Sequence, residues 1–179
     1  MIPIKEKYEL NYIDGNKSCI FIIVLILTLF ISSTNISAQA QYHYIFEQIF
    51  LEEGLSQSIV QCICQDRHGF MWFGTEDGLN KYDGYQFTIL RNNPVDTNSI
   101  SYNNITALLE DHSGIIWIGT FYGGLNKYNP STKNINRIRH QPSNPVSLSN
   151  DNINVIYEDS GNNLWIGTDN GLNKLIADS

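Results

Sequence analysis

Few side chains in this sequence are placed to do chemistry, and most of those recur at a fixed spacing. Asp66, Asp111 and Asp159 each open a near-identical stretch. Recurrence in every copy marks a turn device rather than an active site, because Asp hydrogen-bonds its own following backbone. Arg67, Arg91, Arg137 and Arg139 occupy unrelated positions. They do not assemble the arginine cluster that a carboxylate substrate requires. Cys62 and Cys64 stand two apart on one strand, pointing the same way but too distant for an unstrained disulfide. Two thiols are also too few for a zinc site, and both read as small core fillers. Asp151-Asn152 and the stretch 159–163 are rich in oxygen donors, yet lack the twelfth-position acid of an EF-type calcium loop. One departure from the repetition is of another kind. Phe121-Tyr122-Gly123 stands where the other copies have Glu76-Asp77 and Asp169-Asn170, with one residue inserted. The plain reading is a loop variant packed on its neighbour; the functional one is an aromatic pair that stacks on a sugar ring. The residues predict no catalytic group, no cofactor and no metal, with Phe121 and Tyr122 as candidate ligand contacts.

The elements that must carry these residues follow from the repetition. Three stretches share one pattern: Asp66-x-x-Gly69-x-x-Trp72-x-Gly74-Thr75, Asp111-x-x-Gly114-x-x-Trp117-x-Gly119-Thr120, and Asp159 through Trp165-x-Gly167-Thr168. The tryptophans, the only three in the chain, are spaced by 45 and 48 positions. A second block follows each, Gly78-Leu79-Asn80-Lys81-Tyr82, Gly124-Leu125-Asn126-Lys127-Tyr128 and Gly171-Leu172-Asn173-Lys174-Leu175. A third precedes each, at 60–65, 105–110 and 153–158. Val60, Cys62 and Cys64 alternate with Gln61, Ile63 and Gln65, the period of a strand. The Asp-to-Gly segments between blocks are hairpin turns. The third copy has Asn162 in place of the turn glycine, and Asn tolerates the left-handed conformation next best. A fourth strand is predicted at 87–90 and again at 135–138.

Four short antiparallel strands in a unit of about 45 residues form one blade of a β-propeller. The expected fold is all-β, a partial propeller of three four-stranded blades in an incomplete ring. Blade 1 covers 55–98, blade 2 covers 99–146, and blade 3, incomplete, covers 147–179. Residues 41–54 contain a strand over Tyr44–Ile49 whose place in the pattern is that of a fourth strand, closing a last blade absent here. Trp72, Trp117 and Trp165 are expected to pack between neighbouring blades. Gly74, Gly119, Gly167 and the three aspartates complete the structural repeat positions.

Residues 19–31 are uncharged and almost wholly apolar, preceded by Lys17 and followed by small polar residues and Ala38-Gln39-Ala40. That is the layout of a secretory signal over residues 1–40, with an uncleaved anchor as the alternative because Glu6, Glu9 and Asp14 balance the early lysines. The net charge of −7 is diffuse, and Arg137 with Arg139 is the nearest thing to a basic cluster. That pair reads as a solvated strand face, so nucleic-acid binding by this segment is not expected.

The pattern Asp-x-x-Gly-x-x-Trp-x-Gly-Thr, followed by Gly-Leu-Asn-Lys-Tyr-Asp, resembles the two-component regulator propeller repeat. The opening Glu53-Gly54-Leu55-Ser56-Gln57-Ser58 and the later Asp83-Gly84-Tyr85-Gln86-Phe87 are similar to the start of the exported sensor region of bacterial hybrid two-component systems. The resemblance covers about residues 44–175. It implies a periplasmic sensor of carbohydrate-derived ligands, held in the inner membrane by a longer chain that continues through further blades to kinase, receiver and DNA-binding modules. Cleavage after Ala40 would leave 139 residues (179 minus 40), fewer than the roughly 180 that four blades need. None of His43, His68, His112 or His140 lies in a phosphoacceptor-like His-Glu sequence. The chain is therefore expected to be the front of a larger sensor, itself no enzyme, and able to self-associate through open blade edges. The alternatives are a non-catalytic interaction scaffold or remnant, and more remotely a propeller enzyme of the sialidase or lyase type.

Overall fold

The computed structural model describes residues 43–176, together with Ile20 and residues 22–26. Ile20 and residues 22–26 are helical. Ala38-Gln39-Ala40 and the rest of the expected signal lie outside the described residues. No helix among the described residues is long and apolar enough to cross a membrane. The chain divides after Phe46, and the unit from Glu47 onward holds every described strand.

That unit is all-β, three antiparallel sheets in chain order that do not close into a ring. The first contains β1 (Val60–Gln65), β2 (Met71–Thr75), β3 (Gly78–Tyr82) and β4 (Phe87–Leu90). The second contains β5 (Ile105–Glu110), β6 (Ile116–Thr120), β7 (Leu125–Asn129) and β8 (Asn134–Ile138). The third has three strands, β9 (Ile153–Glu158), β10 (Leu164–Thr168) and β11 (Gly171–Leu175). Each strand pairs with the next in sequence, so every sheet is a simple up-and-down meander. The expected strand over Tyr44–Ile49 is not formed: residues 43–50 carry no strand, and Leu51–Glu53 is a single 3-10 turn. An extended segment is stable as a strand only against a neighbouring edge, and no sheet of this chain offers it one.

The first strand of each sheet carries an irregularity that the alternation did not predict. The register shifts between Val60 and Cys62, between Ile105 and Ala107, and between Gly167 and Thr168 opposite Ile153 and Val155. Gln61, Thr106 and Asn154 are thereby left unpaired as bulge residues. A bulge re-aims its side chain, and here it points two of them at the next blade. Gln61 donates to Asn104 Oδ1 at 3.0 Å, and Thr106 donates to the Ile153 carbonyl at 2.5 Å.

The core lies between blades rather than within them. Trp72 and Leu79 of the first blade pack with Ile100, Ile105, Ile116, Ile118, Tyr128 and Ile135 of the second. The indole of Trp72 meets the Tyr128 ring edge-on at 5.8 Å. Trp117 and Leu125 of the second pack with Leu148, Ile153, Ile156, Leu164 and Ile166 of the third. Trp165, with no blade after it, is only half-buried. The glycine two places after each tryptophan makes this fit possible. A Cβ on Gly119 would lie 2.6 Å from Ile153 Cγ2, closer than any side chain tolerates.

Candidate functional site

The recurring polar residues are consumed by the architecture. One oxygen of each repeat aspartate accepts backbone N–H groups of its own turn, His68 and Phe70 for Asp66, Ser113 and Ile115 for Asp111, Gly161 and Asn163 for Asp159, all at 2.9–3.0 Å. The other oxygen accepts the indole N–H of the tryptophan six residues on, at 2.8 Å in all three blades. The turn therefore fixes the wedge that fills the inter-blade core. These bonds favour the carboxylate. The Trp165 indole and the Asn163 backbone hold Asp159 down to about 2. Burial works against Asp111, but Ser113, Trp117 and Ile115 together still keep it below the usual range. In the third copy Asn162 takes the left-handed conformation, φ 61°, as Gly69 and Gly114 do in the others.

A second repeated network was not read from the sequence. Ser56, Ser101 and Ser149 each donate their backbone N–H to the Oδ1 of Asn80, Asn126 and Asn173, at 2.9–3.0 Å. The amide returns a bond to the serine hydroxyl at 2.8–2.9 Å. That hydroxyl also faces Thr75, Thr120 or Thr168. The trio ties the loop leading into each blade to its two middle strands. The signal was present: each serine lies 16 residues before its tryptophan.

The arginines do not converge. Arg67 pairs with Glu110 of the next blade at 2.6 Å, and Arg91 with Asp77 at 2.9 Å. Arg139 donates to the Ser101 carbonyl. Arg137 corrects an expectation: rather than facing solvent, it is half-buried and donates to the Ser99 and Asp96 carbonyls, both at 2.8 Å. A guanidinium anchors a loop wherever two carbonyls lie within its fork, which strand alternation alone does not reveal. The oxygen-rich residues are likewise engaged, Asp151 Oδ1 by the His140 backbone N–H at 2.7 Å and Asp159 by its own turn. Cys62 and Cys64 are free thiols beside the first core cluster. Burial pushes Cys62 up to about 12 and also raises Cys64, so both stay protonated.

What remains is the loop that breaks the repeat. Phe121 and Tyr122 lie with their ring centroids 4.0 Å apart, and Tyr102, from the loop leading into the same blade, meets Tyr122 edge-on at 6.4 Å. All three rings are exposed. Tyr122 adopts φ 70°, a conformation costly for a bulky side chain. It is held there by its backbone N–H, which donates to Asn152 Oδ1 of the third blade at 2.8 Å. Beside the rings is a cleft of about 500 Å3 lined by Glu76, Asn92, Tyr102, Asn103, Asn104 and Phe121. Amides, one carboxylate and aromatic faces converge there, with no cation in the lining.

The two-component regulator propeller family matches the chain at residues 54–77, 99–122 and 147–170. The extracellular domain of BT3049 of B. thetaiotaomicron, described as a hybrid two-component system, is similar at 33% identity with a TM-score of 0.68. The match covers 72% of this chain and 18% of that one. The corresponding domain of BT4673 is 31% identical with a TM-score of 0.58, over 69% of this chain and 16% of that one. Histidine kinase P4 of Formosa agariphila is 52% identical over 67 residues, 37% of this chain and 5% of that protein. The chain thus spans less than a fifth of the length of each.

Proposed function

We propose, on the premise that this chain belongs through its three matched repeats to the two-component regulator propeller family, that it is part of the exported ligand-sensing region of a hybrid two-component signalling protein. In this reading residues 1–40 direct export to the periplasm. Further blades, a kinase and a regulator belong to the longer protein, and this segment is itself non-catalytic. The ligand is a carbohydrate. The observation that carries this choice is the exposed cluster of Tyr102, Phe121 and Tyr122 beside a cleft of amides. Sugar rings present apolar C–H faces that stack on aromatics, while their hydroxyls exchange hydrogen bonds with amide and carboxylate groups.

The lining further selects for charge. Glu76 stands alone among Asn92, Asn103 and Asn104, and the nearby Arg91 is already engaged by Asp77. An anionic sugar would meet a carboxylate without a free cation, so neutral oligosaccharides are favoured. Titrating the purified chain against matched neutral and acidic oligosaccharides tests this. Saturable heat with the neutral members alone is expected. Binding confined to the acidic members, or to none, would remove the reading and leave an interaction scaffold.

A further inference from the structure

The two junctions between blades are made from the same contacts, and each contact has an unmatched half at both ends of the three-blade row. An aliphatic side chain at the start of a first strand seats over the glycine of the preceding blade, Ile105 over Gly74 and Ile153 over Gly119. Both isoleucines are 0% exposed, whereas Val60, in the same position of blade 1, is 36% exposed. Gly167, the third notch, meets only Val155 of its own blade. A backbone N–H crosses each junction, Gly78 to the Asn103 carbonyl at 2.8 Å and Gly124 to the Asp151 carbonyl at 2.9 Å. The corresponding groups at the ends are the Gly171 N–H and the Ser58 carbonyl. Asn154, whose counterparts Gln61 and Thr106 reach the next blade, instead turns back to Asp169 at 2.8 Å.

The third blade also lacks what the fourth strand supplies elsewhere. Ile135 of β8 fills the junction behind Trp72 and Leu79. At the next junction the equivalent space is an open cleft of about 440 Å3, whose lining includes Leu125, Ile138, Leu148, Ile166 and Leu175. Leu172 is 67% exposed, where its counterparts Leu79 and Leu125 are 0% and 1%. The sequence holds one unused segment of the right pattern. Phe46 and Ile49 are spaced as Phe87 and Leu90, and as Ile135 and Ile138, and both are exposed.

We propose that two copies of this chain join head to tail into a six-bladed ring. The first blade of each copy seats on the third blade of the other, and residues 46–49 of each supply the missing fourth strand beside β11 of the other. Charge favours a second copy as the occupant. The internal junctions pair a cation with a carboxylate, Arg67 with Glu110 and His112 with Glu158. The two end positions are Ser160 and Gln65, both neutral, so joining them buries no unpaired charge. Three blades are too few for a ring, which takes about four to eight, and a head-to-tail contact that closes stops at a fixed copy number. The existing registers, Leu79 opposite Leu90 and Leu125 opposite Ile138, place Leu172 opposite Ile49 of the partner subunit.

The test uses the full chain carrying Ile49→Cys and Leu172→Cys, with light and isotopically heavy batches mixed and gently oxidised. Both sites are exposed, so neither substitution enters the core. The expected product is a covalent dimer in which a 49–172 disulfide joins light to heavy chains, and wild type is expected to sediment at twice the chain mass. Peptide mapping separates this bond from any involving the raised thiols of Cys62 and Cys64. A second variant, Gln65→Glu with Ser160→Glu, is expected to weaken the dimer about tenfold by like-charge repulsion. A monomer without the bond, a 49–172 bond within one chain, or a ladder of larger species would each overturn the proposal. A monomer would assign these faces to blades of a longer chain.

Discussion

At the scale of single residues, the repeat aspartates do what their recurrence implied and one thing it did not. The turn-forming role could be read from Asp followed by Gly or Asn. The bond to the indole N–H could not, because it depends on how the turn folds back over the following strand. The carboxylate is worth more ionised than protonated in each such site, and this has a pH signature. Asp159 is lowered to about 2 in the folded chain against about 3.9 when unfolded. Its contribution is therefore complete above about pH 4 and is lost as pH falls toward 2. Thermal melts are expected to hold steady from pH 7 to about 5 and to drop steeply below about 4. Asp159→Asn is expected to melt lower at neutral pH and to show a shallower acid drop. A variant whose acid drop matched wild type would assign the effect to other carboxylates.

At the scale of elements, the strands were legible because each first strand keeps a period of two and each turn keeps its glycine or asparagine. The bulges at Gln61, Thr106 and Asn154 were not, since what they accommodate is the neighbouring blade rather than anything in their own strand. The serine–asparagine pairs escaped for a similar reason: their members lie 24 or 25 residues apart and meet only once the blade is folded. Tyr102 was missed as a third ring because it belongs to the loop before the blade, far in sequence from Phe121. The inter-blade role of the tryptophans leads to an unequal expectation. Trp117 is buried between two blades, so Trp117→Ala is expected to cost about 3–5 kcal/mol. Trp165 is half-buried at the open face, and Trp165→Ala is expected to cost less than half as much. Urea unfolding followed by far-UV circular dichroism compares the two, and equal losses would contradict a core that lies between blades.

At the scale of the whole molecule, the regular positions maintain the stack of blades and the irregular ones are left for recognition. Every repeated polar group has a structural partner, whereas the inserted Phe121-Tyr122-Gly123 loop exposes three rings and holds one of them at a strained φ. Such strain is retained where the surroundings enforce it, and it lets stability and binding be separated. Tyr122→Gly removes the ring and relieves the backbone together, because glycine occupies positive φ without a steric penalty. The measurement that bears most directly on the sensing role is a paired one, thermal melting and oligosaccharide titration of wild type and Tyr122→Gly. The account predicts a variant that melts no lower than wild type yet binds the best neutral oligosaccharide about tenfold more weakly, a loss of about 1.4 kcal/mol. A variant that melts lower and binds with undiminished affinity would make Tyr122 a packing residue and contradict the assignment of the site.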